Sequence, residues 1–168
     1  SVGTQKLPES QMDRFMIRVT MGYPSVEDEV SIMKSKAGGL SNRVLSKNVI
    51  NAQDFMSMRD IVDEVYVDDS IYEYVAKIVA KTRDSEDILQ GISPRGSISI
   101  INMAKAEAFL RGHDYVLPSD IQFVLNDTMA HRIILNRSLK RGHITEESVI
   151  DSICRSVDVP KIGTRGIL

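Results

Sequence analysis

The sequence predicts a mainly α-helical protein: a helical bundle preceded by a short N-terminal helix and one isolated strand. Apolar residues recur at helical spacing in several segments joined by short connections, which is typical of a compact bundle. The clearest stripe consists of Ile71, Tyr74, Val75, Ile78 and Val79. With 168 residues, the chain is long enough to bury roughly 70% of its unfolded surface. We therefore expect a well-packed helical domain.

Charge and composition exclude several classes of protein. The net charge of −2 argues against a general nucleic-acid binder, which normally carries a basic excess. No apolar run approaches the roughly 20 residues that a membrane span needs, so no insertion into a membrane is expected. The single cysteine, Cys154, excludes an intrachain disulfide and lies in step with the apolar residues Ile150 and Ile153. Its reduced state fits a cytoplasmic protein.

Start signals mark the expected helices. A first-turn proline, or a serine or threonine at the N-cap, is typical of a helix start. Such signals occur at Pro8, Ser25, Ser70, Ser93-Pro94, Pro118 and Thr145, and a further helix is expected from about Gln53. Ser25 with Asp28, and Ser70 with Glu73, form capping-box patterns. The first helix after Ser25 is expected to end at Gly38-Gly39.

One stretch near the N-terminus is the only convincing strand pattern. Phe15, Ile17, Val19 and Met21 are apolar and alternate with the residues between them. A lone strand leaves its N–H and C=O groups without partners, so the pattern implies a sheet that this sequence does not supply. We expect this segment either to pair with the same segment of a second molecule or to form no regular strand.

The segment Ser93-Pro94-Arg95 opens the most informative helix, which Gly112 is expected to end. Ser93 is a candidate N-cap, and Pro94 suits the first helical position. Arg95 then lies in the first turn, where the helix dipole disfavours a cation. A bound phosphate would explain this placement, because helix N–H groups and a guanidinium then converge on one anion. The alternative is an arginine that pairs with a nearby carboxylate.

Three stretches resemble a known family. SPRGSISIINMAKAEAFLRGHDYVLPSDI resembles the second sensor helix and following loop of MoxR-type AAA+ ATPases, and PSDIQFVLNDTMAHRI resembles the next helix of their lid domain. LPESQMDRFMIRVTMGYPS resembles the segment that carries the arginine finger. The resemblance implies the C-terminal part of such an ATPase. Residues 1–24 would then be the last part of its α/β core, 25–160 the helical lid domain, and 161–168 a C-terminal tail.

The same resemblance gives roles to two arginines. It implies that Arg14, within Asp13-Arg14-Phe15, is the finger that reaches the γ-phosphate held by a neighbouring subunit. It also implies that Arg95 contacts the terminal phosphate of ATP. Alternatives stay open for both: Arg14 pairs with Asp13 or Glu9 at a helix end, and Arg95 has a structural role.

ATP and Mg²⁺ are the cofactors that the resemblance implies for the complete enzyme. This chain alone is expected to bind neither and to hydrolyse no ATP. The sequence contains no G-x-x-x-x-G-K-[ST] phosphate loop and no apolar strand ending in Asp-Glu for Mg²⁺. Its three histidines, His113, His131 and His143, lack metal-ligand spacing, so no metal site is expected.

One helix start departs from the family pattern. Family members commonly have threonine before the proline that opens the helix at Pro118, and this sequence has Leu117 there. Asp120 thus lacks its capping-box partner, and the cap is expected to be weaker by about 1 kcal/mol.

The resemblance implies ATP hydrolysis by a ring of identical subunits, coupled to remodelling or maturation of partner proteins. The expected partners are the neighbouring subunits and proteins with von Willebrand A domains, without nucleic acid. One alternative is a non-enzymatic helical adaptor of AAA+ ancestry that binds protein. A third is a winged or helix-turn-helix nucleic-acid module, which the acidic net charge opposes.

Overall fold

A computed structural model describes residues 7–37, 49–136, 138 and 144–161, apart from the side chains of residues 9 and 10. The described residues are mainly helical, as the sequence predicts. The elements are α1 (Glu9–Met12), α2 (Val26–Ala37), α3 (Ala52–Glu64), α4 (Asp69–Asp84), β1 (Ile88–Gln90), α5 (Pro94–Leu110), α6 (Pro118–Met129), β2 (Ile134–Leu135) and α7 (Glu146–Arg155). The helix end predicted at Gly38-Gly39 and the tail from residue 162 onward lie outside the described residues.

β1 and β2 form a two-stranded antiparallel sheet that the sequence did not predict. Ile88 faces Leu135 across this pair, and Tyr66 makes an isolated parallel bridge to Tyr115. The expectation of no convincing strand after the N-terminal segment was therefore wrong. Strands of two or three residues are too short to show the alternation by which a strand is recognised.

The alternating segment at residues 15–21 forms no regular strand, which is one of the two outcomes expected of it. Its apolar side chains are exposed, from 38% at Ile17 to 92% at Met21. Several of its backbone groups instead bind residues at the end of α6, as described below.

Contacts between Cα atoms divide the chain into two compact units. Val19–Met58 forms one, and Ser1–Arg18 with Arg59–Leu168 forms the other. In the smaller unit, Ser25 caps α2 as predicted: its Oγ accepts from the Asp28 N–H at 3.1 Å and donates to the Asp28 carboxylate at 2.9 Å. The domain limits proposed from the sequence stay a prediction.

The larger unit has its core among α4, α5, α6 and α7. α4 buries the whole stripe that the sequence predicts, and α5 is followed by Gly112 at φ +80°, a conformation that favours glycine. The largest fully buried apolar side chains are Tyr74, Ile71, Ile78, Ile92, Ile100, Ile121, Leu125, Met129, Ile150 and Val116. No described helix is long and apolar enough to cross a membrane.

Two helix starts differ from the sequence prediction. The N-cap of α4 is Asp68, whose carboxylate accepts from the Ser70 N–H at 2.9 Å, so the predicted cap at Ser70 was wrong by two residues. At α6, the Leu117 side chain has no acceptor atom, and only half of a capping box forms. That half is the bond from the Leu117 N–H to Asp120 Oδ2, at 2.8 Å.

The end of α4 fixes the residue that precedes α5. The buried Thr82 Oγ1 accepts from the Ile92 N–H at 3.0 Å, and Arg83 Nε donates to the Ile92 carbonyl at 2.9 Å. Gly91 permits this approach, since a Cβ there would lie 2.8 Å from the Thr82 carbonyl oxygen. Both polar backbone groups of Ile92 are thus attached to α4, which sets where α5 begins.

Candidate functional site

The Asp13 carboxylate binds the residue that opens α5. Ser93 Oγ donates to Asp13 Oδ1 at 2.9 Å and to Oδ2 at 3.1 Å. Ser93 occupies the N-cap position, as predicted, but its side chain makes no capping hydrogen bond. Its hydroxyl instead joins two segments that lie 80 residues apart in the sequence.

Arg132, which follows the end of α6, binds the same N-terminal segment. Its side chain is 1% exposed, and its Nε lies 3.4 Å from Asp13 Oδ1. Nη2 donates to the carbonyl oxygens of Asp13 at 3.3 Å and Phe15 at 2.7 Å, and Nη1 donates to that of Met16 at 3.3 Å. These carbonyls flank Arg14. We call Asp13, Ser93 and Arg132 the Asp13 joint.

Two groups within the bundle orient the Arg132 guanidinium. The Thr128 carbonyl oxygen, in the last turn of α6, accepts from Nη1, and Ser99 Oγ, in α5, accepts from Nη2 at 3.0 Å. Gly96 leaves room for the arginine, because a Cβ there would clash with Ile92 Cγ2 and lie 3.3 Å from Arg132 Cδ. The guanidinium is therefore held by both α5 and α6.

The charges around Arg132 oppose one another. Burial lowers the pKa of Arg132, the Asp13 carboxylate raises it, and the Arg95 guanidinium lowers it again. Arginine nevertheless stays protonated in proteins. A buried cation is costly unless a partner offsets it, and Asp13 is that partner. Arg95 is near enough to repel Arg132, which makes the Asp13 carboxylate more important to the buried cation.

His131 binds a carbonyl of the same N-terminal segment. Its Nε2 lies 2.9 Å from the Phe15 carbonyl oxygen, to which a neutral ring donates from this nitrogen. Burial lowers the pKa of His131, and the hydrogen bond to Phe15 acts in the opposite direction. The charges of Arg132 and Arg18 lower this pKa further, and the charge of Asp13 raises it. The net effect favours the neutral ring.

Arg18 makes the outermost attachment of the segment. Its N–H donates to the Asp127 carbonyl in α6 at 2.8 Å. Its Nη2 lies 3.1 Å from Glu147 Oε1 in α7, and both of these side chains are more than 40% exposed. An exposed ion pair contributes at most about 1 kcal/mol, so the buried contacts of Arg132 dominate.

Arg14 and Arg95, the two site residues predicted from the sequence, are both exposed. Within the described part of the chain, neither guanidinium makes a hydrogen bond or an ion pair. The carboxylate of Asp13, one alternative partner for Arg14, is bound within the Asp13 joint. The side chain of Glu9, the other, lies outside the described side chains. The roles of Arg14 and Arg95 stay predictions.

This arrangement suits an anionic ligand. An exposed guanidinium without a carboxylate partner has its donors available for phosphate, which arginine binds with two parallel hydrogen bonds. The described residues include no group of three or more His, Cys, Asp or Glu side chains placed to hold a metal ion. The exposed guanidiniums of Arg14 and Arg95 are therefore of the chemical kind that binds a phosphate.

Sequence reasoning missed the part played by Arg132. A cation after the last turn of a helix is typical of a favourable interaction with the helix dipole, and nothing local shows that this one is buried. The available signal was its position directly before the apolar pair Ile133-Ile134, which indicates that the chain continues into the core. His131 was expected to have a packing or surface role, and its bond to Phe15 was not foreseen.

Comparison with known proteins identifies relatives of this chain. Residues 80–153 match the family model of the AAA lid domain. The chain is 31% identical over 169 residues to the chaperone MoxR1 of Mycobacterium tuberculosis, with 95% of this chain and 44% of that protein covered. It is 39% identical over 158 residues to the uncharacterized protein YeaC of Bacillus subtilis (strain 168), with 94% and 49% covered.

A solved structure agrees with these relatives. The crystal structure of a presumptive ATPase from Cytophaga hutchinsonii has a TM-score of 0.83 and 32% identity, and the match covers 95% of this chain and 51% of that one. The chain is related to MoxR-type AAA+ ATPases. It spans about half the length of the relatives it matches. The lid match contains Ser93, Arg95 and Arg132, whereas Asp13 and Arg14 precede it.

Proposed function

We propose that this chain is the finger and lid portion of a MoxR-type ATPase. In the complete protein, a ring of identical subunits hydrolyses ATP and thereby remodels or matures partner proteins in the cytoplasm. The observation that carries the proposal is the Asp13 joint, which binds together the two motifs whose arginines, Arg14 and Arg95, are exposed and unpaired among the described residues.

Arg14 would act on a nucleotide bound by the neighbouring subunit. Its guanidinium donates to the γ-phosphate and neutralises charge that develops during phosphoryl transfer. Such an arginine is worth roughly 10³–10⁵ in rate. At about 1.4 kcal/mol per factor of ten, this corresponds to roughly 4–7 kcal/mol of transition-state stabilisation.

Arg95 would bind the terminal phosphate of ATP from the first turn of α5. The positive end of the helix dipole favours the same anion. Because Ile92 attaches the start of α5 to the end of α4, a shift of Arg95 with the phosphate moves both helices together. Loss of the γ-phosphate removes the partner of Arg95 and so changes the position of the lid.

The remaining parts of the reaction come from outside these 168 residues. ATP supplies the phosphoryl group, and its β- and γ-phosphates need a glycine-rich loop and an Mg²⁺ site, for which this sequence has no motif. The partners proposed are neighbouring subunits and proteins with von Willebrand A domains, on the basis of the family resemblance. The chaperone name of the MoxR1 relative supports action on proteins.

Substitution of the finger in the complete ATPase tests this function. Arg14→Ala should lower kcat by at least about a hundredfold, with ring assembly and ATP binding nearly unchanged. Arg155→Ala is the matched control, because Arg155 is also exposed but lies at the end of α7. Equal rates for Arg14→Ala and the control would contradict the proposal.

A mixing experiment tests whether Arg14 acts between subunits. Arg14→Ala subunits keep their own nucleotide site, and subunits inactivated in the phosphate loop keep their finger. Mixed rings should therefore recover part of the activity, and failure to recover it would indicate a structural arginine. A complete protein that assembles but has no ATP turnover would favour the adaptor alternative.

A further inference from the structure

We infer that Arg132 is the positioning residue for the arginine finger, and that it links the finger to the helix that carries Arg95. The inference rests on the proposed function and adds a residue to it. Arg132 binds backbone carbonyls on both sides of Arg14, and it binds α5 through Ser99. It acts through Arg14 and does not itself contact nucleotide.

The contacts of Arg132 fix the chain path at Arg14. Its guanidinium is a rigid fork of five N–H donors, and three of its acceptors are the carbonyls of Asp13, Phe15 and Met16. An acceptor on each side of Arg14 restricts the backbone dihedral angles between them. The direction in which the Arg14 side chain leaves the backbone is therefore set by Arg132.

The burial of Arg132 indicates that it positions the backbone of the finger segment. Its side chain is 1% exposed, so it is not available to a ligand. Replacement of a buried ion pair by apolar side chains is often neutral or stabilising, so stability alone does not explain a cation at this place. What an apolar side chain cannot supply is directed hydrogen bonding to three carbonyls and a carboxylate at once.

The same residue connects the finger to α5. Ser93, directly before α5, binds Asp13 of the finger segment. Ser99, within α5, binds Arg132, which in turn pairs with Asp13. A displacement of the first turns of α5 therefore moves the backbone at Arg14. Nucleotide contact at Arg95 and presentation of Arg14 to the next subunit are coupled through this connection.

The test uses the complete ATPase with Arg132→Met, which removes the donors and keeps an unbranched apolar side chain. We expect kcat to fall about ten- to a hundredfold, as a misplaced catalytic group does. The affinity for ATP, measured with a fluorescent nucleotide, should stay within about twofold, because Arg132 does not contact nucleotide. Arg155→Met, at an exposed position of α7, should change neither quantity.

The double variant gives the decisive readout. If Arg132 acts only through Arg14, Arg14→Ala combined with Arg132→Met should be no slower than Arg14→Ala alone. If the fold-decrease in kcat of the double variant equals the product of the decreases in the two single variants, the inference is overturned. In mixed rings with phosphate-loop-dead subunits, Arg132→Met should recover activity as Arg14→Ala does, and lack of recovery would also overturn it.

Arg132→Lys covers the case in which the methionine variant does not fold. Lysine keeps the charge opposite Asp13, but its single ammonium cannot bind all the carbonyls in a fixed fork. Its kcat should lie between those of wild type and Arg14→Ala, and the same double-variant comparison applies. A wild-type rate in Arg132→Lys and Arg132→Met, with a large loss in Arg14→Ala, would overturn this inference alone. A wild-type rate in Arg14→Ala would overturn the proposed function.

Discussion

The hydroxyl of Ser93 reaches both oxygens of the Asp13 carboxylate, at 2.9 Å and 3.1 Å. The same carboxylate lies 3.4 Å from the Nε of Arg132. Because Arg132 is buried, Asp13 offsets a charge that water cannot solvate. Asp13 is thus expected to contribute to the stability of the larger unit as well as to the placement of the finger.

Asp13→Asn keeps the shape of the side chain and removes its charge. Since Asp13 is 30% exposed, we expect the free energy of unfolding to fall by about 1–2 kcal/mol, less than for a fully buried pair. Urea denaturation measures this change. Asp158→Asn, at an exposed position, is the control, and equal losses in both variants would contradict the role given to Asp13.

Gly96→Ala should disturb the packing of Arg132 against α5. A methyl group there would clash with Ile92 Cγ2 and come within 3.3 Å of Arg132 Cδ. We expect the free energy of unfolding to fall by about 1–3 kcal/mol, although alanine normally favours a helix. Gly22→Ala has no atom within 4 Å of its new methyl group and serves as control. A Gly96→Ala variant at least as stable as wild type would contradict this expectation.

His131 should make the fold sensitive to acid. Burial and the cations beside it lower its pKa in the folded state, so the unfolded chain binds the proton more readily. Stability is then complete above about 6.5, the ordinary pKa of histidine, and is lost as the pH falls toward the lowered folded-state value. The free energy of unfolding should decline less steeply below pH 6.5 in His131→Gln than in wild type. Identical slopes would exclude His131 as the cause.

Leu117→Thr should strengthen the start of α6. The threonine hydroxyl would accept from the N–H of Asp120 and complete a box of which the reciprocal bond, at 2.8 Å, already exists. We expect its free energy of unfolding to exceed that of Leu117→Ala by about 0.5–1 kcal/mol. The alanine variant is the reference because it also removes the apolar contacts of Leu117 but has no acceptor. Thermal denaturation of the two variants decides this, and equal stability would mean that the hydroxyl does not cap the helix.

Long periodic segments were predictable from the sequence. The stripe on α4 is buried as expected, because five apolar residues at helical spacing leave one face for the core. The predicted start of α4 was wrong because Asp68 and Ser70 are both good N-caps. Only the folded backbone shows that Asp68 accepts the capping bond, from the Ser70 N–H. β1 and β2 were missed because their pairing depends on residues about 45 positions apart, which no local pattern shows.

The candidate site was predictable only in part. Arg14 and Arg95 were predicted from short motifs and their resemblance to a family, and their roles stay predictions. The Asp13 joint was not, because Arg132 lies 119 residues from Asp13 and is a common residue type for a helix end. Its importance follows from burial and from the direction of its donors, and both properties arise only when the chain is folded.

Hydrogen exchange at the Ile92 amide should report how often the end of α4 separates from the start of α5. The Ile92 amide is buried and donates to Thr82 Oγ1 within the core. Its proton can exchange with solvent deuterium only when the end of α4 separates from the start of α5, so its exchange rate measures how often that happens. Because the next residues are Ser93, Pro94 and Arg95, this one amide reports opening at the point where phosphate binding is proposed.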